Sequence, residues 1–435
     1  MITEQSPQTQ VQTKSKVRSV AFAAFENKQY RWLFLGNTAI FMVISSKILV
    51  GPLLAMKITQ SNISLANINI ALGIPMFIGA LLSGALVDRV ERRTLMVCGM
   101  FAMLVSEAFV CSQLVFHRLE FWQLMLGTFV AGSAFPFIMP ASTSMMYQNL
   151  GHHHISSGMS LISGMMGLSR VIAPWLMSVI VSVGDFQGAY AATSFAYVCG
   201  IICILQLPKS HPSNENRKPF FADIWVGVKY VLEHRQVAAC LFFGMLPILL
   251  AMPLQYFLVV FVNDVWPMGA QGLGMMLAAM GVGGFIGSMV VARIQDGTKR
   301  LKLMLISSCG CAVCFAMFSE APSLYIALIP LAFANGFAIA NQTVNNVAVQ
   351  LLVDDKVRGR VTSFTMLSFG VAPMVALFFA KGIDSYGAAD TVFGASVMLL
   401  VMVVGFYLFS SSLRRVDDCI AESFKTKVDL QKTSP

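Results

Sequence analysis

Charged side chains are scarce in this sequence. Asp, Glu, Lys and Arg make up 12% of its 435 residues, about half of what a soluble domain uses to cover its surface. That scarcity excludes an ordinary water-soluble enzyme or scaffold. Residues 1–28 are polar and contain no apolar core followed by a cleavage site, so no removable signal peptide is expected. Eight of the nine cysteines, among them Cys98, Cys111, Cys199, Cys203 and Cys240, fall inside apolar runs and form no disulfide framework. Cys309, Cys311 and Cys314 imitate a metal spacing. On one helix, however, Cys309 and Cys311 point to different sides, and small packing residues are the better reading.

Two further motifs are decoys. GVGGFIG at 281–287 resembles a dinucleotide loop, but it follows no strand and lies in an apolar run, where glycines serve close helix packing. His152 to His154 lie in a short connection without the further ligands that a metal needs. No metal, no cofactor and no catalytic dyad is expected.

What is abundant is apolar sequence. Hydrophobic residues make up 56% of the chain, gathered into runs of about 20, the length that crosses a bilayer as a helix. Twelve spans are read near 32–56, 66–87, 94–116, 120–146, 156–183, 187–207, 237–262, 268–292, 302–319, 322–350, 360–381 and 388–411. The fold class is an all-α membrane protein of twelve transmembrane helices in two six-helix bundles.

The expected division is an N-terminal segment 1–31, a first bundle 32–207, a linker 208–236, a second bundle 237–412 and a tail 413–435. The linker begins PKSHPSNENRKP and continues FFADIWVGVKYVLEH. In that second part Phe221, Ile224, Val228, Val231 and Leu232 share one face, opposite Asp223, Lys229 and Glu233. Such a segment reads as an amphipathic helix on the membrane surface, or as a plain solvated connector.

Lys and Arg placement sets the orientation. With both termini inside, inner segments carry 25 of the 30 basic residues. Outer connections carry Lys57, Arg118 and Lys381, and two, Lys47 and Arg170, lie within spans. This asymmetry accounts for the net charge of +9 without a nucleic-acid partner; the expected partners are a small molecule and the bilayer, and the expected assembly is a monomer. Trp122 and Trp266 sit near outer span ends, as interfacial anchors do.

The chain also repeats itself. GALLSGALVDRVERRTLM, from Gly79, aligns with GSMVVARIQDGTKRLKLM, from Gly287, so that Asp88 answers Asp296 and Arg92 answers Arg300. Ala173-Pro174 likewise answers Ala372-Pro373. Two related halves joined by a linker are the architecture of transporters that rock two bundles about a midplane site.

With these residues in view, the sequence resembles the major facilitator superfamily. The motif between helices two and three, Gly-x-x-x-Asp-Arg-x-x-Arg-Arg, is carried by Gly84, Asp88, Arg89, Arg92 and Arg93, with Glu91 where the wider family often has Gly. The branch that includes enterobactin exporters and macrolide efflux pumps is the nearer match, through ITQSN after span one, SRVIAP in span five, GVKYVLEH in the linker and QLLVDDKVRGRV before span eleven. Ala173-Pro174 also resembles the antiporter motif of helix five, without its following glycines.

The resemblance covers about 25 to 412. It implies secondary transport by alternating access, with proton-driven efflux of a small amphiphilic or anionic, siderophore-like compound across a bacterial inner membrane. Drug or macrolide efflux, uptake of a metabolite by the same fold, and a non-transporting membrane sensor are the alternatives.

The resemblance also places Asp88 at the start of helix eleven, near Arg358 and Arg360, where the positive helix end would hold the halves together inside. Asp88→Asn is then expected to lower transport while membrane insertion, read by expression level, stays normal.

Charges inside spans are expensive and default to function. Lys47 lies ~21 Å along span one from Leu33, at 1.5 Å per residue. It either faces the cavity or snorkels outward. Arg170 either attracts an anionic substrate with Lys47 or pairs with backbone and acid groups. Glu107, mid-span in helix three, is either a structural partner or a proton carrier. Span ten carries Asn335, Asn341, Gln342, Asn345 and Asn346; Asn341 and Asn345 share a face and either bind substrate or join helices. Gln255 and Tyr256 in span seven are further candidates. Pro52, Pro247 and Pro253 suit helices that bend.

Overall fold

The computed structural model describes residues 23–87, 90–150, 155–209, 229–294, 300–353, 361 and 367–419. Asp88, Arg89, Arg358, Arg360, the histidine run and most of the linker helix lie outside these. The described residues form no strand. Ten of their stretches are long and apolar enough to cross a membrane.

The first half comprises α1 (Lys28–Thr59), α2 (Asn62–Val87), α3 (Arg92–Val115) and α4 (Phe121–Asn149), followed by one helical run, Ile155–Leu205. That run is 51 residues long, about twice what one crossing needs. It is interrupted at Asp185, whose φ of 53° and ψ of −168° are not helical, so we label its arms α5 (155–184) and α6 (186–205). The sequence reading ends span five and opens span six on either side of this break.

The second half comprises α7 (Arg235–Val260), α8 (Gly269–Ile294), α9 (Arg300–Ser319), α10 (Leu324–Leu352), α11 (Leu367–Tyr386) and α12 (Ala388–Phe409). α7, which contains Pro247 and Pro253, runs on into a π-helical turn, Phe261–Val265.

Local chemistry fixes where the helices begin. Asn27 caps α1 by accepting from the backbone N–H of Gln29 and Tyr30. Its amide also donates to the carbonyl of Asn149 at 2.6 Å, tying the start of α1 to the end of α4. α4 opens on a reciprocal capping box between Glu120 and Gln123. At the far side of the second half, Asp417 accepts from the N–H of Leu301 at 3.3 Å. The Asn27–Asn149 and Leu301–Asp417 contacts define a terminal face, which carries the starts of α1 and α9 and the ends of α4 and α12. The opposite end is the distal face.

The two halves repeat one packing scheme. In the first, a Cβ on Gly132 of α4 would stand 2.4 Å from the backbone oxygen of Leu72 on α2. In the second, a Cβ on Gly287 of α8 would stand 2.3 Å from that of Gly336 on α10. Second and fourth helices thus meet backbone to backbone in both halves. GVGGFIG is a packing segment, as its place in an apolar run predicts: Gly283 faces α10, and Gly281 faces the backbone of Arg170 on α5 of the other half.

The apolar cores are not symmetric along the membrane normal. One core joins the whole second half to the distal part of the first, including Leu49, Leu53, Leu65, Ile68 and Phe186. A separate core fills the terminal part of the first half alone, with Tyr30, Leu33, Met96, Met100, Met145 and Ile204. Among the described residues the halves are therefore fused by burial towards the distal face and separate towards the terminal face.

Polar contacts reinforce the distal closure. The Asn62 amide, at the head of α2, donates to Asp384, near the end of α11, at 2.7 Å. Lys57 pairs with Asp185 at 3.2 Å and stands 4.9 Å from the centre of the Phe186 ring. Of these two contacts, Asn62–Asp384 crosses between halves. Asn62→Ala is expected to raise the labelling rate of a cysteine placed at Ala66 by a membrane-impermeant thiol reagent, because it loosens this side; an unchanged rate would show that burial alone holds it shut.

Candidate functional site

At the meeting of the halves lies a cavity of about 310 Å³, near the lower end of the range for small-molecule sites. Its wall is largely apolar and soft: Phe41, Phe135, Met76, Met103, Met166, Met252 and Met280 contribute from both halves. Methionines adapt to irregular ligands. Polar groups are few: Ser45, Asn69, Tyr197, Gln255, Tyr256, Asn335 and Gln342.

Lys47 and Arg170 are the charged residues among those lining the cavity. They have opposite fates. Lys47 of α1 forms an ion pair with Glu107 of α3. Glu107 is 2% exposed and Lys47 23%, so the carboxylate stands behind the ammonium, away from the cavity. Glu107 Oε2 also accepts from the Thr193 hydroxyl of α6 at 3.1 Å. Three helices thus converge on one buried carboxylate, and the pair cancels its own charge.

Arg170 of α5 is exposed to the cavity and has no hydrogen bond or ion pair among the described residues. Its place beside the glycine face of α8 holds it at the seam between halves. The alternative that Arg170 pairs with an acid or a carbonyl finds no partner there. A guanidinium held in an apolar cavity without a counter-charge is a strong attractor for an anion. Among the described residues the site therefore carries one uncompensated positive charge.

The remaining candidates divide. Gln255 and Tyr256 of α7 both line the cavity. Asn341 and Asn345 do not: Asn341 is fully buried and donates to Ser308 of α9, and Asn345 is 5% exposed against Gly244 of α7. They join helices of the second half. The cavity face of α10 carries Asn335, Ala338, Ile339 and Gln342, with the Asn335 amide donating to the Met280 carbonyl at 2.7 Å. The spacing from 335 to 342 marks this face in the sequence, as does Asn69 on α2, an isolated amide in an apolar span.

Pro174 and Ala372, one from each of the Ala-Pro pairs that answer one another in the internal repeat, both line the cavity. At the hinge after α2, Arg92 is buried, Arg93 is half-buried, and Glu91 accepts from the Thr94 hydroxyl at 2.6 Å. Gly84 lies in the last turn of α2.

Twin pseudo-symmetric bundles around a closed-ended central cavity define a transporter of small molecules rather than an enzyme. The chain belongs to the transmembrane secretion effector family of the major facilitator superfamily, whose sequence pattern it matches over residues 19–431. It is 22% identical over 344 residues to the enterobactin exporter EntS of Escherichia coli O1:K1, covering 76% of this chain and 79% of that protein. The EntS of Shigella boydii serotype 18 gives the same figures.

Its fold is also that of the nucleoside transporter NupG, with a TM-score of 0.72 at 14% identity, over 88% of this chain and all of that one. A bacterial homologue of the human lysosomal transporter Spinster, in an inward-facing and unoccupied conformation, matches with a TM-score of 0.68 at 13% identity, over 91% and 98% of the two chains.

Proposed function

We propose that this protein is a secondary exporter of a small amphiphilic anion, of the siderophore-like class, in a bacterial inner membrane. The observation that carries the reading is Arg170: a cation without a counter-charge among the described residues, in a largely apolar central cavity. It favours an anion over the cationic drugs that a macrolide-type pump would carry. The likeness to enterobactin exporters supplies the outward direction and the substrate class.

In this reading the terminal face is cytoplasmic, since the positive-inside asymmetry places segments 1–31, 208–236 and 413–435 there. The fused distal core then closes the outside, and the described conformation faces inward. Outward opening requires the distal apolar contacts and Asn62–Asp384 to part, while the hinge at Gly84, Asp88, Arg89, Arg92 and Arg93 closes on Arg358 and Arg360. The protein works as a monomer, since each chain holds a complete cavity.

The reading is tested in proteoliposomes, by comparing protein-dependent flux of an aromatic dianion with that of an amphiphilic cation of similar size. Flux of the dianion alone is expected. Flux of the cation alone would move the assignment to drug efflux.

A further inference from the structure

The Lys47–Glu107 pair has a consequence for coupling that depends on where its two ends stand. Lys47 lines the cavity, and the carboxylate that its ammonium pairs with is buried and does not. We infer that Lys47 is shared between Glu107 and the substrate: an anionic group that takes Lys47 leaves Glu107 to take up a proton. Anion and proton therefore bind this cavity together. This inference rests on the anion reading of the site and adds the sign of its linkage to protons.

The charges balance only in this way. Before binding, Lys47 is an ammonium and Glu107 a carboxylate, and the pair is neutral. When an anionic group docks on the ammonium, Glu107 would be left as a buried carboxylate with only the Thr193 hydroxyl to solvate it. An uncompensated carboxylate in such a site neutralises by binding a proton. Lys47, the substrate group and a protonated Glu107 are again neutral together. No covalent bond between heavy atoms is made or broken; one proton moves from solvent to a Glu107 oxygen.

The surroundings of Glu107 supply no other charge. Its titratable neighbours are Cys111 on its own helix and Tyr190 and Tyr197 on α6, all neutral in their ordinary form near neutral pH. α4, which packs along α3, carries no titratable group but Tyr147, close to its terminal end. Lys47 from α1 is therefore the one cation that meets Glu107 among the described residues. Arg170, across the cavity, has no such rival acid and takes a second anionic group without a proton.

A substrate with two anionic groups would thus travel with one proton and move one net negative charge. Outward movement of that charge is favoured by an inside-negative potential. This coupling has the sign of co-transport, whereas the antiporter expectation drawn from the family resemblance has the sign of exchange.

Naphthalene-1,5-disulfonate is a suitable probe, because both sulfonates stay ionised across the range in which proteins titrate. Binding to the purified full-length protein would be followed by titration calorimetry at mildly acidic to mildly basic pH, in buffers of differing ionisation enthalpy. About one proton taken up per anion is expected, with affinity falling about tenfold per pH unit where Glu107 must be protonated to bind. Glu107→Gln, an isosteric mimic of the protonated form, is expected to bind with no proton uptake and no such pH dependence.

Binding to the wild type with no proton uptake would overturn the shared-lysine inference and leave the anion site standing. Failure of a folded wild-type protein to bind the disulfonate at any pH would overturn the anion site itself. Should Glu107→Gln fail to fold, Lys47→Gln/Glu107→Gln removes both charges together; it is expected to bind more weakly and without proton uptake, and uptake persisting there would assign the proton to another group.

Discussion

Arg170→Gln is expected to remove most transport of an anionic amphiphile while the protein inserts and folds normally. The guanidinium contributes a charge-assisted contact worth about 1.5–3 kcal/mol, so affinity should fall roughly 10- to 100-fold. The same substitution removes an unpaired cation from the middle of the membrane, which is costly in the empty protein. Thermal stability of the empty protein in detergent should therefore hold or rise as transport falls. That combination separates a binding role from a structural one: a guanidinium that merely held α5 in place would lower both together. Arg170→Lys keeps the charge but not the planar fork, and should retain part of the flux. Undiminished flux in Arg170→Gln would remove the residue from the site.

The second large effect is on folding. Gly283→Val should abolish accumulation of folded protein, because a Cβ at that position would stand 1.8 Å from the backbone oxygen of Ala332. No rotamer change relieves a clash with backbone, so α8 and α10 must part. The expected loss exceeds about 4 kcal/mol, the range reserved for overpacking and similar disruptions. Gly405→Ala on α12 is the matched control. Nothing lies within 4 Å of its added Cβ, and replacing Gly by Ala within a helix is favourable by up to ~1 kcal/mol. Fluorescence-detected size-exclusion chromatography of the two variants reads the difference. A monodisperse Gly283→Val at wild-type level would mean that the helices have room to move apart.

These two residues illustrate what the sequence makes legible. Gly283 belongs to a segment whose role follows from composition alone: four glycines in seven apolar residues serve close approach. The break at Asp185 is legible too, because 51 residues of helix exceed any single crossing. The hinge after α2 announces itself by charge, although Asp88 and Arg89 fall outside the described residues.

Azimuth is a different matter. The spans are apolar on every side, so periodicity does not say which face meets the cavity. On α10 the polar residues at 341 and 345 and those at 335 and 342 form two stripes. Only the packing of α9 against the first and the cavity against the second tells them apart. Likewise Lys47 and Glu107 are each conspicuous alone in the sequence. Their pairing depends on the angle at which α1 and α3 face one another, which the chain between them does not encode in any local pattern.

The central claim is export of an anionic small molecule through the cavity that Arg170 and Lys47 border. Its most direct test compares a deletion strain with its parent, each grown with and without iron, by untargeted mass spectrometry of culture supernatants and cell extracts. The account predicts that one iron-chelating anion disappears from the supernatant of the deletion strain and accumulates in its cells. Supernatants and extracts that match under both conditions would contradict it.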